Sequence, residues 1–173
     1  TLIVRADASI SIGTGHIMRM IALSQTWHSE GGEVYFLCAQ LTPALEQRLA
    51  SEGFHLIRID ALPGGQDDLC ETIRLISKTL QVDSKNSRVV IDGYHFGADY
   101  QLGIKAAGLK LLVVDEYGHA DFYHADWVLN QNISAREDLY KKRNLETKLL
   151  LGTKYVMLRK EFLAFKKCHR EIS

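Results

Sequence analysis

Short apolar runs rich in valine, isoleucine and leucine alternate with longer amphipathic segments over most of the chain. Continuous runs of this kind are typical of parallel strands that are covered on both faces. The predicted strands are LIVRA (2–6), EVYFLCA (33–39), FHLIRI (54–59), RVVID (88–92) and LKLLVVD (109–115), and the predicted helices span 16–30, 43–52, 66–80 and 99–107. Because crossovers between parallel strands are right-handed, this order predicts an α/β fold with a doubly wound, mostly parallel sheet.

After residue 115 the apolar runs become shorter and the links between them irregular. The segments WVLN (127–130), KLLL (148–151) and KYVML (154–158) are predicted as further strands, and the final segment begins as a helix and ends polar. We therefore expect one domain over residues 1–160, followed by a terminal helix or linker over residues 161–173.

The composition argues against several classes of protein. Lysine and arginine together number 21, as do aspartate and glutamate, so the net charge gives no general attraction to nucleic acid or to an anionic membrane. Cys38, Cys70 and Cys168 have no paired spacing, which argues against a disulfide framework and a thiolate metal site. We find no signal peptide before the first strand, and no apolar stretch of the roughly 20 residues that cross a bilayer. These features predict a cytoplasmic protein without a nucleic-acid partner or a membrane span.

Ligands of open parallel sheets bind beyond the carboxyl ends of the strands, where the winding reverses. The first segment at this edge contains Gly13-Thr14-Gly15-His16, a turn that could bring backbone N–H groups to an anion at a helix start. It lacks the third glycine of a dinucleotide fingerprint and the Gly-Lys-Ser/Thr of a P-loop. Taken alone, Gly13 and Gly15 fit a ligand-binding turn and a simple tight turn equally.

His16 is predicted to lie in the first turn of the helix, where the helix macrodipole favours the neutral imidazole. A neutral histidine beside such a turn suits a general base for the attack of water on a nucleotide-linked substrate. The alternative is a histidine that caps or packs at the helix start. Arg19 shares the face of His16 and could hold either an anionic oxygen or an acidic side chain.

Two aspartates follow neighbouring predicted strands at the same edge. Asp92 and Asp115 could each orient the His16 imidazole or bind a sugar hydroxyl, and each could equally cap the turn that follows its strand. Tyr94 offers a hydroxyl and a flat apolar face, which suit a sugar ring.

Two further groups of charged residues have mainly structural interpretations. We interpret Arg5 and Asp7 as a clasp, because an arginine so close to a buried strand needs a partner. The Asp- and His-rich segment 115–126 matches no compact metal-binding spacing, so we expect a solvated loop and no metal.

Four ordered motifs resemble those of the UDP-sugar hydrolases of pseudaminic acid biosynthesis. This family is related to the MurG-like glycosyltransferases and is often labelled spore-coat polysaccharide biosynthesis proteins. The motifs are RADASISIGTGHIMRM (5–20), IDGYHFGADY (91–100), VVDEYGHADFYHADWVLNQN (113–132) and LLLGTKYVMLRKEF (149–162). The resemblance covers the whole chain and departs at Glu116, where a second aspartate is common, and at Met20.

The resemblance implies a Rossmann-like amino-terminal domain of a glycosyltransferase-B architecture. It implies hydrolysis of UDP-2,4-diacetamido-2,4,6-trideoxy-β-L-altropyranose, with His16 as the base, Tyr94 on the sugar side, and no metal or organic cofactor. The family's nucleotide-binding half has no counterpart in this sequence, so residues 161–173 would lead towards an absent carboxyl-terminal domain. Because expulsion of UDP needs prearranged donors, we expect this chain alone to bind UDP weakly and to turn over little or nothing.

Two other functions fit the same residues. One is the acceptor-binding half of a glycosyltransferase, which would pass the sugar to a hydroxyl instead of water. The other is a non-catalytic sugar- or nucleotide-binding module.

Overall fold

The computed structural model describes residues 1–80 and 86–163. Its framework is a seven-stranded parallel sheet in the order β3-β2-β1-β4-β5-β6-β7. The strands are β1 (Leu2–Ala6), β2 (Val34–Cys38), β3 (His55–Arg58), β4 (Arg88–Asp92), β5 (Leu111–Val114), β6 (Trp127–Asn130) and β7 (Lys148–Leu151). The winding reverses at β1, which has β2 on one side and β4 on the other, so a crevice is expected between the carboxyl ends of β1 and β4.

Helices cover both faces of this sheet, as the apolar pattern predicts. They are α1 (Gly15–Ser29), α2 (Pro43–Ser51), α3 (Gln66–Arg74), α4 (Ala98–Ala106) and α5 (Lys160–Leu163), and α3 continues as a π-helical turn over Leu75–Thr79. Side chains of α1 and α2 share one buried apolar cluster with the sheet, and side chains of α3 and α4 share a second. The doubly wound α/β fold is therefore confirmed. Among the helices of residues 1–80 and 86–163, none combines the length and the apolar composition that a membrane span requires.

The prediction of a strand over residues 154–158 is wrong. The chain turns at Gly152, whose φ is +90°, and continues as a short 3-10 helix over Thr153–Tyr155. Tyr155 and Met157 still pack on the apolar cluster beneath α1, which explains their strand-like alternation. The backbone N–H of Met157 donates to the side chain of Gln131 and not to a strand, so burial alone produced the pattern.

The predicted terminal helix begins within the described chain. α5 is tied to the α1–α2 layer by Lys160, whose ammonium lies 2.7 Å from a carboxylate oxygen of Glu52. The rest of that segment, residues 164–173, lies outside the described residues, and the domain boundary after residue 160 remains a prediction.

A buried ionic cluster occupies the α3–α4 face at the carboxyl end of β1. The fully buried Arg5 donates from Nε and Nη2 to the two oxygens of Asp68, at 2.9 and 2.7 Å, and from Nη1 to Asp7 at 2.7 Å. Asp7 also accepts the backbone N–H groups of Ala39 and Gln40 beyond β2. Arg5 and Asp7 thus form the predicted clasp, and Asp68 is a third member that the sequence did not indicate.

Candidate active site

A histidine–aspartate pair lies in the crevice between β1 and β4. His16 is the second residue of α1, and its Nδ1 is 2.7 Å from Oδ1 of Asp92, the last residue of β4. The side chain of His16 is 9% exposed and that of Asp92 is fully buried. A carboxylate only accepts hydrogen bonds, so we assign the imidazole proton to Nδ1 and a lone pair to Nε2. Nε2 has no hydrogen-bond partner within the described ranges 1–80 and 86–163, so it is free to accept a proton.

Arg19 holds the aspartate in place from the same helix face. Its Nε and Nη2 donate to the two oxygens of Asp92, at 2.8 and 2.5 Å, and its Nη1 donates to Glu116 Oε1 at 2.6 Å. Burial opposes the charge of the guanidinium, but the bonds to Asp92 and Glu116 outweigh it and raise the pKa of Arg19. Of the two roles predicted for Arg19, the structure shows the one in which it holds acidic side chains. The 3.3 Å contact between Arg19 Nη2 and His16 Nδ1 joins two donors and adds no hydrogen bond.

Glu116 links this group to an exposed tyrosine. Tyr94 donates its hydroxyl to Glu116 Oε2 at 2.5 Å, and its ring lies edge-to-face with His16 at 5.1 Å between centroids. The hydrogen bond to Glu116, with a smaller effect of burial, raises the pKa of Tyr94 to about 12. Sequence reasoning placed Tyr94 at the site but did not assign a role to Glu116. The available signal was its position directly after Asp115, at the end of β5.

Asp115 organises the loop after β5, and none of its hydrogen bonds within the described residues is to His16. Its carboxylate is buried and accepts hydrogen bonds from the backbone N–H groups of Tyr117 and Gly118, from His119 Nδ1 at 2.7 Å and from the hydroxyl of Tyr123. Burial disfavours the charge, but these donors outweigh it and lower the pKa of Asp115. The capping role predicted as one alternative is the one that the geometry shows. Contact between Asp115 and the substrate stays a prediction.

Side chains of the Asp- and His-rich segment after β5 form hydrogen bonds and ion pairs with other residues of this chain. His119 is committed to Asp115 through Nδ1, and Asp126 accepts from Lys105 and Lys110 at 2.6 and 2.9 Å. In the part of the chain that the structure describes, no group of three or more His, Cys, Asp or Glu side chains could hold a metal ion.

The glycine turn places its backbone next to open space. The N–H of Gly13 donates to the carbonyl of Ser9 at 2.8 Å, closing a tight loop, and α1 begins at Gly15. A Cβ atom built on either glycine would meet no atom within 4 Å. Only Gly13 has a positive φ, +81°, so the two glycines make different demands on the chain.

This difference predicts opposite effects of two alanine substitutions. Gly13→Ala should lower the free energy of unfolding by about 1–2 kcal/mol, because an L-residue is strained at positive φ. Gly15→Ala, at a helical φ and with free space for a methyl group, should change it by less than about 1 kcal/mol and in the stabilising direction. Urea unfolding of both variants measures this. An equal loss in the two variants would contradict a conformational role specific to Gly13.

Acid should destabilise the protein through its buried carboxylates. Burial raises the pKa of Asp7, but His95, Arg5 and the Gln40 N–H outweigh it, so both Asp7 and Asp115 have pKa values below the usual 3.8. Groups with lowered folded-state pKa values stabilise the fold fully above their unfolded pKa and progressively less as the pH falls through the folded value. The free energy of unfolding should therefore fall as the pH drops below about 4. Urea unfolding at pH 7, 4 and 3 tests this, and Asp115→Asn should flatten the dependence; a stability independent of pH would contradict it.

Sequence comparison identifies two relatives, and no protein-family model matches the chain. Over 169 residues it is 27% identical to the UDP-2,4-diacetamido-2,4,6-trideoxy-beta-L-altropyranose hydrolase of Campylobacter jejuni, covering 96% of this chain and 55% of the hydrolase. Over 163 residues it is 24% identical to an uncharacterized protein of Methanocaldococcus jannaschii, covering 93% of this chain and 31% of that protein. The chain thus spans about half the length of the first relative and a third of the second.

Structural comparison identifies the fold. The crystal structure of Acinetobacter baumannii MurG matches with a TM-score of 0.51 and 18% sequence identity, covering 78% of this chain and 42% of MurG. At this identity the likeness concerns the fold alone. Together the comparisons confirm the resemblance drawn from the motifs: over nearly its whole length the chain is similar to a UDP-sugar hydrolase, and it shares its doubly wound α/β fold with part of MurG.

Proposed function

We propose that this chain is the base-carrying half of a nucleotide-sugar hydrolase that releases UDP from a UDP-linked 2,4-diacetamido-2,4,6-trideoxy sugar. The observation that carries the proposal is the His16–Asp92 pair, in which Nδ1 is bonded to Asp92 and Nε2 has no partner among the residues that the structure describes. The relationship to a hydrolase named for such a substrate supports the choice of substrate. The released sugar would be used in the biosynthesis of pseudaminic acid or a related surface polysaccharide. The reaction would take place in the cytoplasm.

In the proposed reaction, His16 Nε2 takes a proton from water as the water oxygen attacks the anomeric carbon. The bond between that carbon and the UDP oxygen breaks, and its electron pair leaves with UDP, so the products are the free sugar and UDP. Asp92 keeps the imidazole in the tautomer with Nε2 unprotonated and stabilises the imidazolium that forms, as in other histidine–carboxylate pairs. Arg19 fixes Asp92 and acts on the substrate only through its two carboxylate partners.

The glycine turn and Tyr94 would frame the sugar. Gly13 and Gly15 leave open space beside the backbone ahead of His16, which lets a substrate approach the start of α1 closely. Tyr94 is 46% exposed and offers its ring and hydroxyl next to the base. The residues that would grip UDP belong, in this proposal, to a carboxyl-terminal domain beyond the related region, in line with the 55% coverage of the relative.

Product analysis of the complete protein separates the candidate functions. With the diacetamido UDP-sugar and no added acceptor, the proposal predicts equal amounts of UDP and free sugar. Release of UDP only when an acceptor hydroxyl is supplied would identify a glycosyltransferase instead. Tight binding without turnover would identify a non-catalytic module. Calorimetry with UDP on residues 1–173 alone should show weak binding, because the donors expected to hold the leaving group lie elsewhere.

A further inference from the structure

Glu116 lies between two hydrogen-bond donors of different kinds. Arg19 Nη1 approaches its Oε1 at 2.6 Å, and the Tyr94 hydroxyl approaches its Oε2 at 2.5 Å. A guanidinium only donates and a carboxylate only accepts. The hydroxyl proton of Tyr94 must therefore lie on the bond to Glu116, and Arg19 keeps the carboxylate in the position that captures it.

The oxygen of Tyr94 is left with acceptor capacity only. A hydroxyl has one proton and two lone pairs, so Tyr94 Oη can still accept hydrogen bonds but has no proton left to donate. Within the described residues it has no second hydrogen-bond partner, and the side chain is 46% exposed beside His16. A ligand at the proposed base therefore meets a tyrosine whose hydroxyl direction is already fixed.

We propose that Glu116 is a positioning residue that makes Tyr94 an obligate hydrogen-bond acceptor, so that the site selects a sugar with an N–H or O–H donor at this point. The amide N–H of an acetamido group is such a donor, whereas an ether or carbonyl oxygen is not. The identity of the sugar rests on the proposed function, but the direction of the Tyr94 hydroxyl does not.

A glutamine at position 116 is expected to reverse this direction. The donor-only guanidinium of Arg19 turns the carboxamide oxygen of the new side chain towards itself, which leaves the NH₂ group facing Tyr94 Oη. Tyr94 then accepts a hydrogen bond from the NH₂ group at position 116 and turns its own proton towards the ligand. There the hydroxyl proton faces the ligand's N–H or O–H donor, so no hydrogen bond forms between them. Glu116→Gln should therefore raise KM for the diacetamido UDP-sugar roughly tenfold while kcat changes less, since one ligand hydrogen bond is lost.

A double-mutant cycle in the complete protein tests the proposal through UDP release from this sugar. We expect Tyr94→Phe and Glu116→Gln each to raise KM roughly tenfold. The double variant should be no worse than Tyr94→Phe alone, because Glu116 acts through the hydroxyl that phenylalanine lacks. Two results would overturn the proposal by showing that Glu116 acts through Arg19. One is that the losses of the two single variants add in the double variant. The other is that Glu116→Gln lowers kcat by the same factor whether or not the Tyr94 hydroxyl is present.

A second measurement keeps this inference separate from the proposed function. If the wild-type protein releases no UDP from this sugar, the proposed function fails, and the interaction of Glu116 with the Tyr94 hydroxyl can still be tested by NMR titration of the Tyr94 ring. The hydrogen bond to Glu116, with smaller effects of burial and neighbouring groups, raises the pKa of Tyr94 to about 12, so Glu116→Gln should lower that pKa part of the way towards its ordinary value of 10.0. An unchanged Tyr94 titration in Glu116→Gln would overturn the inference whatever the activity.

Discussion

In the complete protein, replacing His16 with asparagine is expected to slow UDP release by about 10²- to 10⁴-fold, the range that a positioned general base contributes. The asparagine amide can still donate to Asp92 Oδ1, so the buried carboxylate keeps a partner. What is lost is the Nε2 lone pair that would accept the proton of water. Because the substrate's other contacts remain, kcat should account for most of the loss.

His28→Asn provides a matched control for this substitution. His28 lies on the same helix near its other end, is exposed, and contacts the carbonyl of Gly32 at 3.2 Å. UDP release by the His28 variant should stay close to the wild-type rate. Thermal unfolding of both variants then shows whether any loss in His16→Asn comes from the site or from the fold. UDP release that survives His16→Asn nearly unchanged would remove His16 from the role of base.

The sequence could predict that His16 and Asp92 lie at the same edge of the sheet, because their positions follow from backbone topology. The strand at residues 88–92 and the helix beginning near His16 are local features of the chain, and the reversal of winding then brings their ends together. The prediction of a strand at 154–158 was wrong because alternating burial gives the same sequence pattern whether or not a neighbouring strand is present to pair with the segment.

The separate roles of Asp92 and Asp115 depend on which face of the sheet each side chain occupies. Asp92 is in register with Ala6 and Val114, whose side chains belong to the cluster beneath α1, so its carboxylate faces His16. Asp115 directly follows Val114, and successive side chains along a strand point to opposite faces. The Asp115 carboxylate therefore faces the other side of the sheet, towards Tyr123 in the opposite cluster. Counting alternate residues from β1 could have separated the two aspartates once the face covered by α1 was known.

The role of Glu116 was beyond the reach of sequence patterns. Its two carboxylate oxygens meet side chains that lie 97 and 22 residues earlier in the chain. Both contacts depend on how far each long side chain extends from its own loop or helix. Motif spacing carries no information on that reach.

The clasp on the opposite face of the sheet is expected to control stability and not catalysis. Arg5→Met should lower the free energy of unfolding by about 3–5 kcal/mol, because it leaves the carboxylates of Asp7 and Asp68 buried without their cation. Arg74→Met is the matched control: its pair with Glu71 is at the surface, so its loss should change the free energy of unfolding far less than the loss of Arg5. Urea unfolding at pH 7 measures both, and equal losses would show that burial gives the clasp no special weight.

Neutralising the two orphaned carboxylates separates charge from packing. Adding Asp7→Asn and Asp68→Asn to Arg5→Met should restore part of the lost stability, since the asparagine at position 7 can still accept from the backbone N–H groups of Ala39 and Gln40. No recovery would mean that the loss comes from packing around the Arg5 side chain.

In every one of these variants of the complete protein, UDP release per folded molecule should stay near the wild-type value, because the clasp and His16 lie on opposite faces of the sheet. A fall in that rate without unfolding would instead show that the clasp transmits strain through β1 to the glycine turn.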